Sequence, residues 1–349
     1  MEKPYTPKLT IVMPFFNQKE MVAEMVDSIL ANDFQEWELL AIDDGSEEET
    51  LDYLKRYEED RRIHIIRRIR EPKGAQTCRN MGLEMARGEY IVFFDSDDFI
   101  APYCLQNRIN AIEHRPDLDF MVFPSGTYNG GVFRSKDSHD LYGYPIYSDD
   151  LAAFLKRTLP FIVWNNIYRT ESIRAHRLTW DTNLLSLQDS DFNIQSLLSG
   201  MKYAYAMTKP DYGYRTATNT SSVSKKISTE KHRESHLYFI DKQYREIQMA
   251  HKKSYNHALY QGVLYLFSAT LAEGVVPEFS RPLAETVFQH DHWHGLLLRA
   301  KNKACLMLGK YLPPKLSRQL PMPIFLIRKR LMERVIIPKQ ISKMIKEKE

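Results

Sequence analysis

Short apolar runs alternate with helically spaced apolar residues through the first 125 positions of the chain. Apolar-rich runs bounded by polar or turn-forming residues predict buried strands at 9–13, 37–42, 63–66, 90–94 and 120–123. Apolar residues that recur every three or four positions predict helices, the clearest of them over 21–30, 75–86 and 102–114. Because strands and helices alternate, we predict an α/β fold with a mainly parallel, Rossmann-like sheet covered by helices on both faces.

Polar residues follow three of these strands, at Asn17, at Asp43–Asp44 and at residues 95–97. Ligands of open α/β sheets bind beyond the carboxyl ends of the strands. We therefore expect the three segments to converge on one crevice. Ser46, with Glu49 three residues later, predicts a capping box for the helix that follows.

The loop after the fourth strand places the carboxylates of Asp95 and Asp97 two residues apart. Carboxylate oxygens suit a hard divalent cation such as Mg²⁺ or Mn²⁺, which can bridge to phosphate. The alternative is an acidic loop that only caps the next element. Like charges crowded after a buried strand favour a counter-ion.

Two further segments carry weaker signals. The run 43–46 (DDGS) has the composition of a turn, although Asp44 could also accept a hydrogen bond from a base or ribose. Gly74 would let the backbone approach a ligand closely, and Arg79 could contact phosphate. A solvated basic surface explains Lys73 and Arg79 equally well.

Together these motifs resemble family 2 glycosyltransferases of the GT-A fold, of the bacterial polysaccharide and lipopolysaccharide type. The motifs are 10–17 (TIVMPFFN), 43–46 (DDGS), 75–82 (AQTCRNMG), 88–98 (GEYIVFFDSDD), 164–168 (WNNIY) and 188–192 (QDSDF). The resemblance covers about residues 8–224. It implies a GT-A domain over 1–225, with a nucleotide-binding half (8–125) and an acceptor-side half (126–225), followed by a helical C-terminal region (226–349).

The resemblance also implies roles for single residues. The nucleotide-sugar would contact Pro14, Phe16, Asp44, Gly74, Arg79, Asp95 and Ser96. Phe16 would stack on the base and Asp44 would accept a hydrogen bond from it. Asp97 would ligate the divalent cation directly, while Asp95 would face the ribose or a water molecule bound to the cation.

Asp189 occupies the position of the family's catalytic carboxylate, and Asp191 is the fallback. The implied reaction is inverting transfer from a nucleotide-diphospho-sugar, with UDP favoured, to a hydroxyl of a glycan or lipid-linked glycan. Two residues depart from the family pattern, since Gln188 replaces a Glu and Ala217 stands near the expected His. A plain structural interpretation of Asp189 is an acid in the first turn of a helix that Ser186 caps and that runs to residue 198.

The C-terminal third of the chain carries an excess of basic side chains. The chain has 48 Lys+Arg and 45 Asp+Glu, but residues 295–349 hold 14 basic and 3 acidic side chains. Residues 324–345 mix apolar and basic side chains in the manner of helices that lie on anionic membranes. The alternative is a helix packed on the body of the protein.

The cysteine content, the length of the apolar runs and the absence of certain motifs indicate the cellular compartment and exclude some classes of function. Three cysteines fit a reducing compartment, and no apolar run reaches the roughly 18–20 residues of a membrane span. We therefore expect a cytoplasmic protein, with a peripheral position at the plasma membrane as an extension of that view. Neither GxGxxG nor GxxxxGK[ST] is present, and no nucleic-acid-binding motif accompanies the basic tail. A non-catalytic nucleotide-sugar-binding protein of the same fold remains the alternative.

Overall fold

The computed structural model describes residues 5–129, 132–134, 142–215, 229–272, 277–309 and 337–346. Its larger sheet contains β1 (Leu9–Phe15), β2 (Trp37–Asp43), β3 (Ile63–Arg67), β4 (Tyr90–Phe93), β6 (Phe120–Val122), β9 (Asn166–Arg169) and β10 (Tyr203–Tyr205). The spatial order is β10-β6-β9-β4-β1-β2-β3, and only β9 runs antiparallel to its neighbours. The predicted α/β fold with a mainly parallel sheet is confirmed.

A smaller sheet has the order β5-β11-β7-β8. Its strands are β5 (Phe99–Ile100), β7 (Ser125–Asn129), β8 (Val132–Arg134) and β11 (Tyr212–Arg215). The sequence pattern predicts neither this sheet nor β9 and β10. These strands are two to five residues long, and Asn or Gly interrupts several of them, so they lack the apolar runs that identified the other strands.

In the described part of residues 5–215, seven α-helices accompany the sheets. They are α1 (Lys19–Leu30), α2 (Glu48–Leu54), α3 (Ala75–Met85), α4 (Cys104–Glu113), α5 (Asp150–Leu155), α6 (Thr170–Ala175) and α7 (Gln188–Leu198). Every residue of β1 and β2 is buried, because helices pack on both faces of the sheet. The register pairs Phe15 of β1 with Asp43 of β2, so the carboxyl ends of these strands lie at one edge.

The predicted capping box at Ser46 is wrong, and the alternative cap at Ser186 is not present either. Helix α2 begins after Glu47, and Ser46 instead accepts a hydrogen bond from the Asn17 backbone N–H at 2.7 Å. Helix α7 begins after Leu187, whose φ of 65° places it in the left-handed region, and no side chain caps it. The hydroxyl of Ser186 lies 3.5 Å from a ring nitrogen of His236. Each serine instead contacts a residue that is distant in sequence, Asn17 for Ser46 and His236 for Ser186. The local sequence around a serine does not indicate such a contact.

The C-terminal region is helical in its described parts. It contains α8 (Glu230–Met249), α9 (Asn256–Ala272), α10 (Pro277–His290), α11 (His292–Gly309) and α12 (Ile337–Lys346). Buried side chains of α8 to α10, such as Tyr244, Val263 and Val287, belong to the same apolar cluster as Phe93 of β4 and Phe192 of α7. One hydrophobic core therefore runs across the expected boundary near residue 225.

The basic amphipathic segment predicted over residues 324–345 lies mostly outside the described residues. In its described part, α12, Ile341 is buried against Tyr144 and next to Ile146. This contact matches the alternative of a helix packed on the body. Within the described chain, no helix is both long enough and apolar enough to cross a bilayer.

Candidate active site

The loops after β1 and β2 are held together where the two strands end. Asn17 and Gln18 both adopt left-handed backbone angles, with φ of 54° and 57°. The Asn17 N–H donates to Ser46 Oγ at 2.7 Å, and the Glu47 N–H donates to Asn17 Oδ1 at 3.0 Å. This reciprocal bonding fixes the turn that follows Phe16, so that the Phe16 side chain projects from the edge of the sheet.

Phe16 presents an aromatic ring at this edge. The residue is 47% exposed, and the Lys73 ammonium lies 3.5 Å from the ring centroid. An exposed ring of this kind can stack on a nucleotide base, and the lysine adds positive charge beside it. Pro14, in contrast, is buried inside β1 and pairs with Ile42 of β2.

Asp44 organises the start of α3. Its Oδ1 accepts hydrogen bonds from Arg68 Nε at 2.7 Å and from the Gly74 N–H at 2.9 Å. Gly74 has a φ of 151°, and a Cβ at this position would lie 2.6 Å from Gln76 Oε1. In the described chain no hydrogen bond uses the second oxygen of Asp44, Oδ2, which leaves it as an acceptor.

Arg79 joins three parts of the site. Its guanidinium lies 2.6 Å from Asp95 Oδ1 and 3.3 Å from Gln188 Oε1, and it stacks on the Trp180 ring with a separation of 4.4 Å. The residue is only 6% exposed. The resemblance assigned Arg79 to the edge of the nucleotide, but it also ties α3 to the loop after β4 and to the start of α7. Gln188, which replaces the family's Glu, takes part in this link.

The loop after β4 carries three acids and not only the expected two. Ser96 and Asp97 are partly buried, while Asp98 is fully buried and accepts from Tyr212 Oη at 2.7 Å and from the Arg215 N–H at 2.8 Å. Burial, and then the charge of Asp97, raise the pKa of Asp98 well above its usual value. Asp98 thus fastens the loop to the small sheet, a role that the third acid of the DSDD run could have suggested.

Asp97 has the properties of a cation ligand. Burial raises the pKa of its carboxyl group, and the nearby charge of Asp95 raises it further. The positive charge of Arg215 lowers the pKa of Asp97 and offsets part of this rise. The Arg215 guanidinium does not bond the Asp97 carboxylate, however, because it donates to Glu24 at 2.6 Å and to the Asp97 backbone carbonyl. Oxygen ligands that crowd one another in this way fit a hard divalent cation. No described group of three or more His, Cys, Asp or Glu residues forms a complete metal site.

Asp189 lies in the first turn of α7 and is partly buried. Burial raises the pKa of its carboxyl group to about 6, while the neighbouring Arg79 lowers the pKa and Asp95 raises it. Among the residues described, no donor makes a hydrogen bond to this carboxylate. A carboxylate with a raised pKa and a free acceptor face has the properties of a general base.

Asp191, the fallback, is bound within the protein. It is 1% exposed, and its carboxylate accepts from Lys242 Nζ at 2.7 Å, Gln243 Nε2 at 2.9 Å and Gln195 Nε2 at 2.7 Å. Lys242 also bonds Asp181 at 2.9 Å. These contacts attach α7 to α8 and leave no acceptor face for a substrate. Sequence reasoning missed Lys242 and Gln243, because they lie outside the segment that resembles the family.

The two tryptophans on the acceptor side are structural. Trp180 is stacked on Phe192 with ring centroids 4.5 Å apart, and Trp164 is stacked on Tyr212 at the same separation. Both tryptophans are almost completely buried. Neither is therefore available as an exposed platform for a sugar.

Comparisons with known proteins identify similar sequences and folds. The sequence model of Glycosyl transferase family 2 matches residues 10–176. The putative glycosyltransferase EpsH of Bacillus subtilis is 26% identical over 213 residues, or 60% of this chain and 61% of EpsH. TarS of Staphylococcus aureus, a poly(ribitol-phosphate) beta-N-acetylglucosaminyltransferase, is 24% identical over 208 residues, which is 59% of this chain and 35% of TarS. The chain thus spans less than two thirds of these relatives.

Two solved structures share the fold. Residues 1–349 of S. aureus TarS in complex with UDP-GlcNAc superpose with a TM-score of 0.67 at 19% identity, with 90% of each chain covered. The mannosyltransferase PcManGT from Pyrobaculum calidifontis, in complex with GDP-Man and Mn²⁺, gives a TM-score of 0.50 at 18% identity, with 86% of this chain and 88% of PcManGT covered. With residues 10–176, just under half of its length, as the matched segment, the chain is similar to glycosyl transferase family 2, and its fold is GT-A.

Proposed function

We propose that the protein transfers a sugar, with inversion, from a nucleotide-diphospho-sugar to a hydroxyl of a glycan or lipid-linked glycan in polysaccharide biosynthesis. The observation that carries the proposal is the carboxylate of Asp189. Burial raises its pKa to about 6, and it lies beside Arg79 and Asp95 at the edge where the parallel strands end. A base with this pKa is deprotonated at neutral pH and can still accept a proton readily.

Asp189 acts on the acceptor. Its carboxylate takes the proton of the attacking hydroxyl, whose oxygen forms a bond to the anomeric carbon from the face opposite the nucleotide. The bond from that carbon to the diphosphate oxygen breaks, and the nucleoside diphosphate leaves with the electron pair. Arg79 holds Asp95 and Gln188 in place, so the first turn of α7 keeps its position relative to the loop after β4. A fixed base lowers the entropic cost of reaching the reactive geometry.

The donor binds along the ends of β1, β2 and β4. The exposed Phe16 ring stacks on the base, Asp44 Oδ2 accepts from it, and UDP is the favoured nucleotide because a TarS structure contains UDP-GlcNAc. Asp97 and Asp95, the latter through a water molecule, would hold a divalent cation, Mn²⁺ or Mg²⁺. When bound, such a cation supplies positive charge that stabilises the departing diphosphate.

A thermal-shift screen tests the donor half of the proposal. We expect UDP-sugars to raise the melting temperature of the full chain, and to raise it more with Mn²⁺ than without, since ligand binding to the folded state is stabilising. GDP- and dTDP-sugars serve as comparisons. If no nucleotide-sugar of any of the three types shifts the melting temperature with or without Mn²⁺, the proposal fails.

A non-catalytic nucleotide-sugar-binding protein is the second candidate, since Gln188 departs from the family pattern. Slow release of UDP from a UDP-sugar in the absence of acceptor distinguishes the two candidates. An enzyme shows this hydrolysis, and Asp189→Asn lowers it. Binding without any hydrolysis or transfer favours the second candidate.

We further propose that the protein works at the cytoplasmic face of the plasma membrane, with the C-terminal region as its contact. Helix α11 exposes Trp293, Leu296, Leu297 and Met307 along one face, and Lys301 and Lys303 lie on the same helix. An exposed apolar stripe with basic neighbours suits an anionic lipid surface. Co-sedimentation with anionic liposomes tests this, and Trp293→Ser should weaken it. Equal binding to neutral and anionic liposomes, or none to either, contradicts the proposal.

A further inference from the structure

A tyrosine-rich cleft of about 610 Å³ lies beside β10, the edge strand of the large sheet as described. Its polar and aromatic lining consists mainly of Tyr147, Asp149, Tyr203, Tyr205, Lys252 and Tyr255. The cleft is separate from the ends of β1, β2 and β4, where the donor site lies. None of the roles assigned above to the donor or to the base involves these residues.

Two tyrosines of β10 are oriented by a buried carboxylate. Tyr203 and Tyr205 lie two positions apart, so their side chains leave the strand on one side. Their hydroxyls donate to Asp150 Oδ2 at 2.7 and 2.6 Å. Each hydroxyl has thereby used its proton and keeps lone pairs that can accept from a ligand. The ends of both rings are thus held in a defined geometry at the wall of the cleft.

Within the described residues, the other oxygen of this carboxylate has no hydrogen-bond partner. Asp150 is 5% exposed, and its Oδ1 is buried without a hydrogen bond in the described chain. Buried acceptors are normally satisfied, and an exception calls for a missing donor. Because this oxygen has almost no accessible area, a ligand in the cleft meets the tyrosine rings and hydroxyls that the carboxylate orients, and not the oxygen itself.

The charge of the cleft limits the chemistry of its ligand. Asp149 and Asp150 give two carboxylates against the single ammonium of Lys252. This excess of negative charge is unfavourable for a polyphosphate chain. Tyrosine side chains combine an apolar ring with a polar end, which suits the mixed apolar and hydroxyl faces of neutral sugars.

The position of the cleft relates it to the candidate base. Leu197 lines the cleft in the last turn of α7, and Asp189 lies in the first turn of the same helix. Eight residues of α-helix separate them, which corresponds to about 12 Å at 1.5 Å per residue. One oligosaccharide could therefore occupy both places.

We propose that this cleft binds a neutral, hydroxyl-rich segment of the glycan acceptor, remote from the hydroxyl that reacts near Asp189. This inference rests on the proposed glycosyl transfer and specifies its acceptor. It gives the enzyme a preference for acceptors long enough to reach the cleft. It also distinguishes a neutral glycan from an anionic polyol-phosphate polymer as the acceptor.

Binding of the full-length protein to a printed array of neutral oligosaccharides, with poly(ribitol phosphate) as the anionic comparison, tests the inference. We expect wild-type protein to bind neutral oligosaccharides, and Tyr255→Ala and Lys252→Met to bind at least tenfold more weakly. Lys253→Met is the matched control, since Lys253 is exposed, adjacent in sequence and outside the lining. Tyr205→Phe, which keeps the ring but removes a hydroxyl, should also weaken binding. Circular dichroism verifies that each variant is folded.

The outcomes separate this inference from the proposed function. Absence of binding to every neutral oligosaccharide, preference for poly(ribitol phosphate), or equal binding by folded Tyr255→Ala and Lys252→Met would overturn the cleft assignment. Array binding by Asp189→Asn should depend on Tyr255 as wild-type binding does. If UDP-sugar hydrolysis is absent but array binding depends on Tyr255, the proposed reaction fails and the cleft stands. If hydrolysis persists without array binding, only the cleft assignment fails.

Discussion

At the scale of single residues, the site depends on how two aspartates in one helix differ. Asp189 and Asp191 are two positions apart in the first turn of α7, and burial raises the pKa of both. The carboxylate oxygens of Asp191 accept hydrogen bonds from Lys242, Gln243 and Gln195. In the described chain, the carboxylate of Asp189 accepts none. The environment of Asp191 therefore gives it a structural role, while that of Asp189 is compatible with the proposed role as the base.

The pKa of Asp189 predicts how the transfer rate depends on pH. The pKa is raised to about 6, so the carboxylate that must accept a proton is lost as the pH falls through 6. We expect kcat to be level above about pH 7 and to fall about tenfold per pH unit well below pH 6. Initial rates between pH 4.5 and 8, at saturating donor, provide the measurement. A rate that stays constant down to pH 4.5 is incompatible with Asp189 as the base.

Asp97 predicts a metal-dependent contribution to donor binding. Asp97→Asn removes one negative charge from the acidic loop but preserves the shape of the side chain, so the cation should bind poorly. By calorimetry we expect the Mn²⁺-dependent part of UDP affinity to disappear. Asp33→Asn, at an exposed aspartate away from the loop, is the matched control. If Asp97→Asn binds UDP with Mn²⁺ as tightly as wild type does, Asp97 is not a ligand.

At the scale of elements, helix α8 holds helix α7, which carries the proposed base, in place. Lys242 lies between Asp191 and Asp181, at 2.7 and 2.9 Å, and Gln243 bonds the same Asp191. Burial lowers the pKa of Lys242, but the two carboxylates raise it by more. An ion pair of this kind is costly to break from one side, because the remaining charge stays buried.

We therefore predict that Lys242→Met destabilises the protein by about 3–5 kcal/mol, as expected for a buried charge that loses its partner. The double variant Lys242→Met with Asp191→Asn should recover part of the loss, since it no longer buries an unpaired carboxylate. Urea unfolding of the three proteins and of Lys253→Met, an exposed control, provides the free energies. A loss below about 1 kcal/mol for Lys242→Met would mean that the pair does not hold α7.

The elements also show which parts of the fold can be predicted from sequence. The long apolar runs of β1, β2 and β4 and the regular spacing in α1 and α3 identify these elements with ends accurate to about two residues. β9 and the small sheet depend on tertiary pairing and carry no such runs. In the site, the acids and Phe16 follow from motifs. The link through Arg79 and the attachment of Asp191 to Lys242 join residues 16 to 109 positions apart, which no local pattern encodes.

At the scale of the whole molecule, the GT-A fold and the C-terminal helices share one core. The cluster that contains Phe192 of α7 also contains Phe239 and Tyr244 of α8 and Val263 of α9. These contacts cross the expected boundary near residue 225. The C-terminal helices therefore support α7, in addition to the proposed role at a membrane.

A shared core predicts that both regions unfold together. Trp37, Trp164 and Trp180 lie in the first region, while Trp293 lies in α11. We expect the unfolding transition followed by tryptophan fluorescence to coincide with the one followed by far-ultraviolet circular dichroism. This should hold for wild type and for Trp293→Phe. A separate early transition that is lost in Trp293→Phe would indicate that α11 unfolds independently.

The most direct test of the account is the effect of Asp189→Asn on donor binding and on transfer, measured in the same preparation. The central claim is that this carboxylate accepts the proton of the attacking hydroxyl. We predict unchanged affinity for the UDP-sugar with Mn²⁺, a melting temperature no lower than that of wild type, and a kcat reduced by about 10²–10⁴-fold. Transfer at the wild-type rate in Asp189→Asn would contradict the claim.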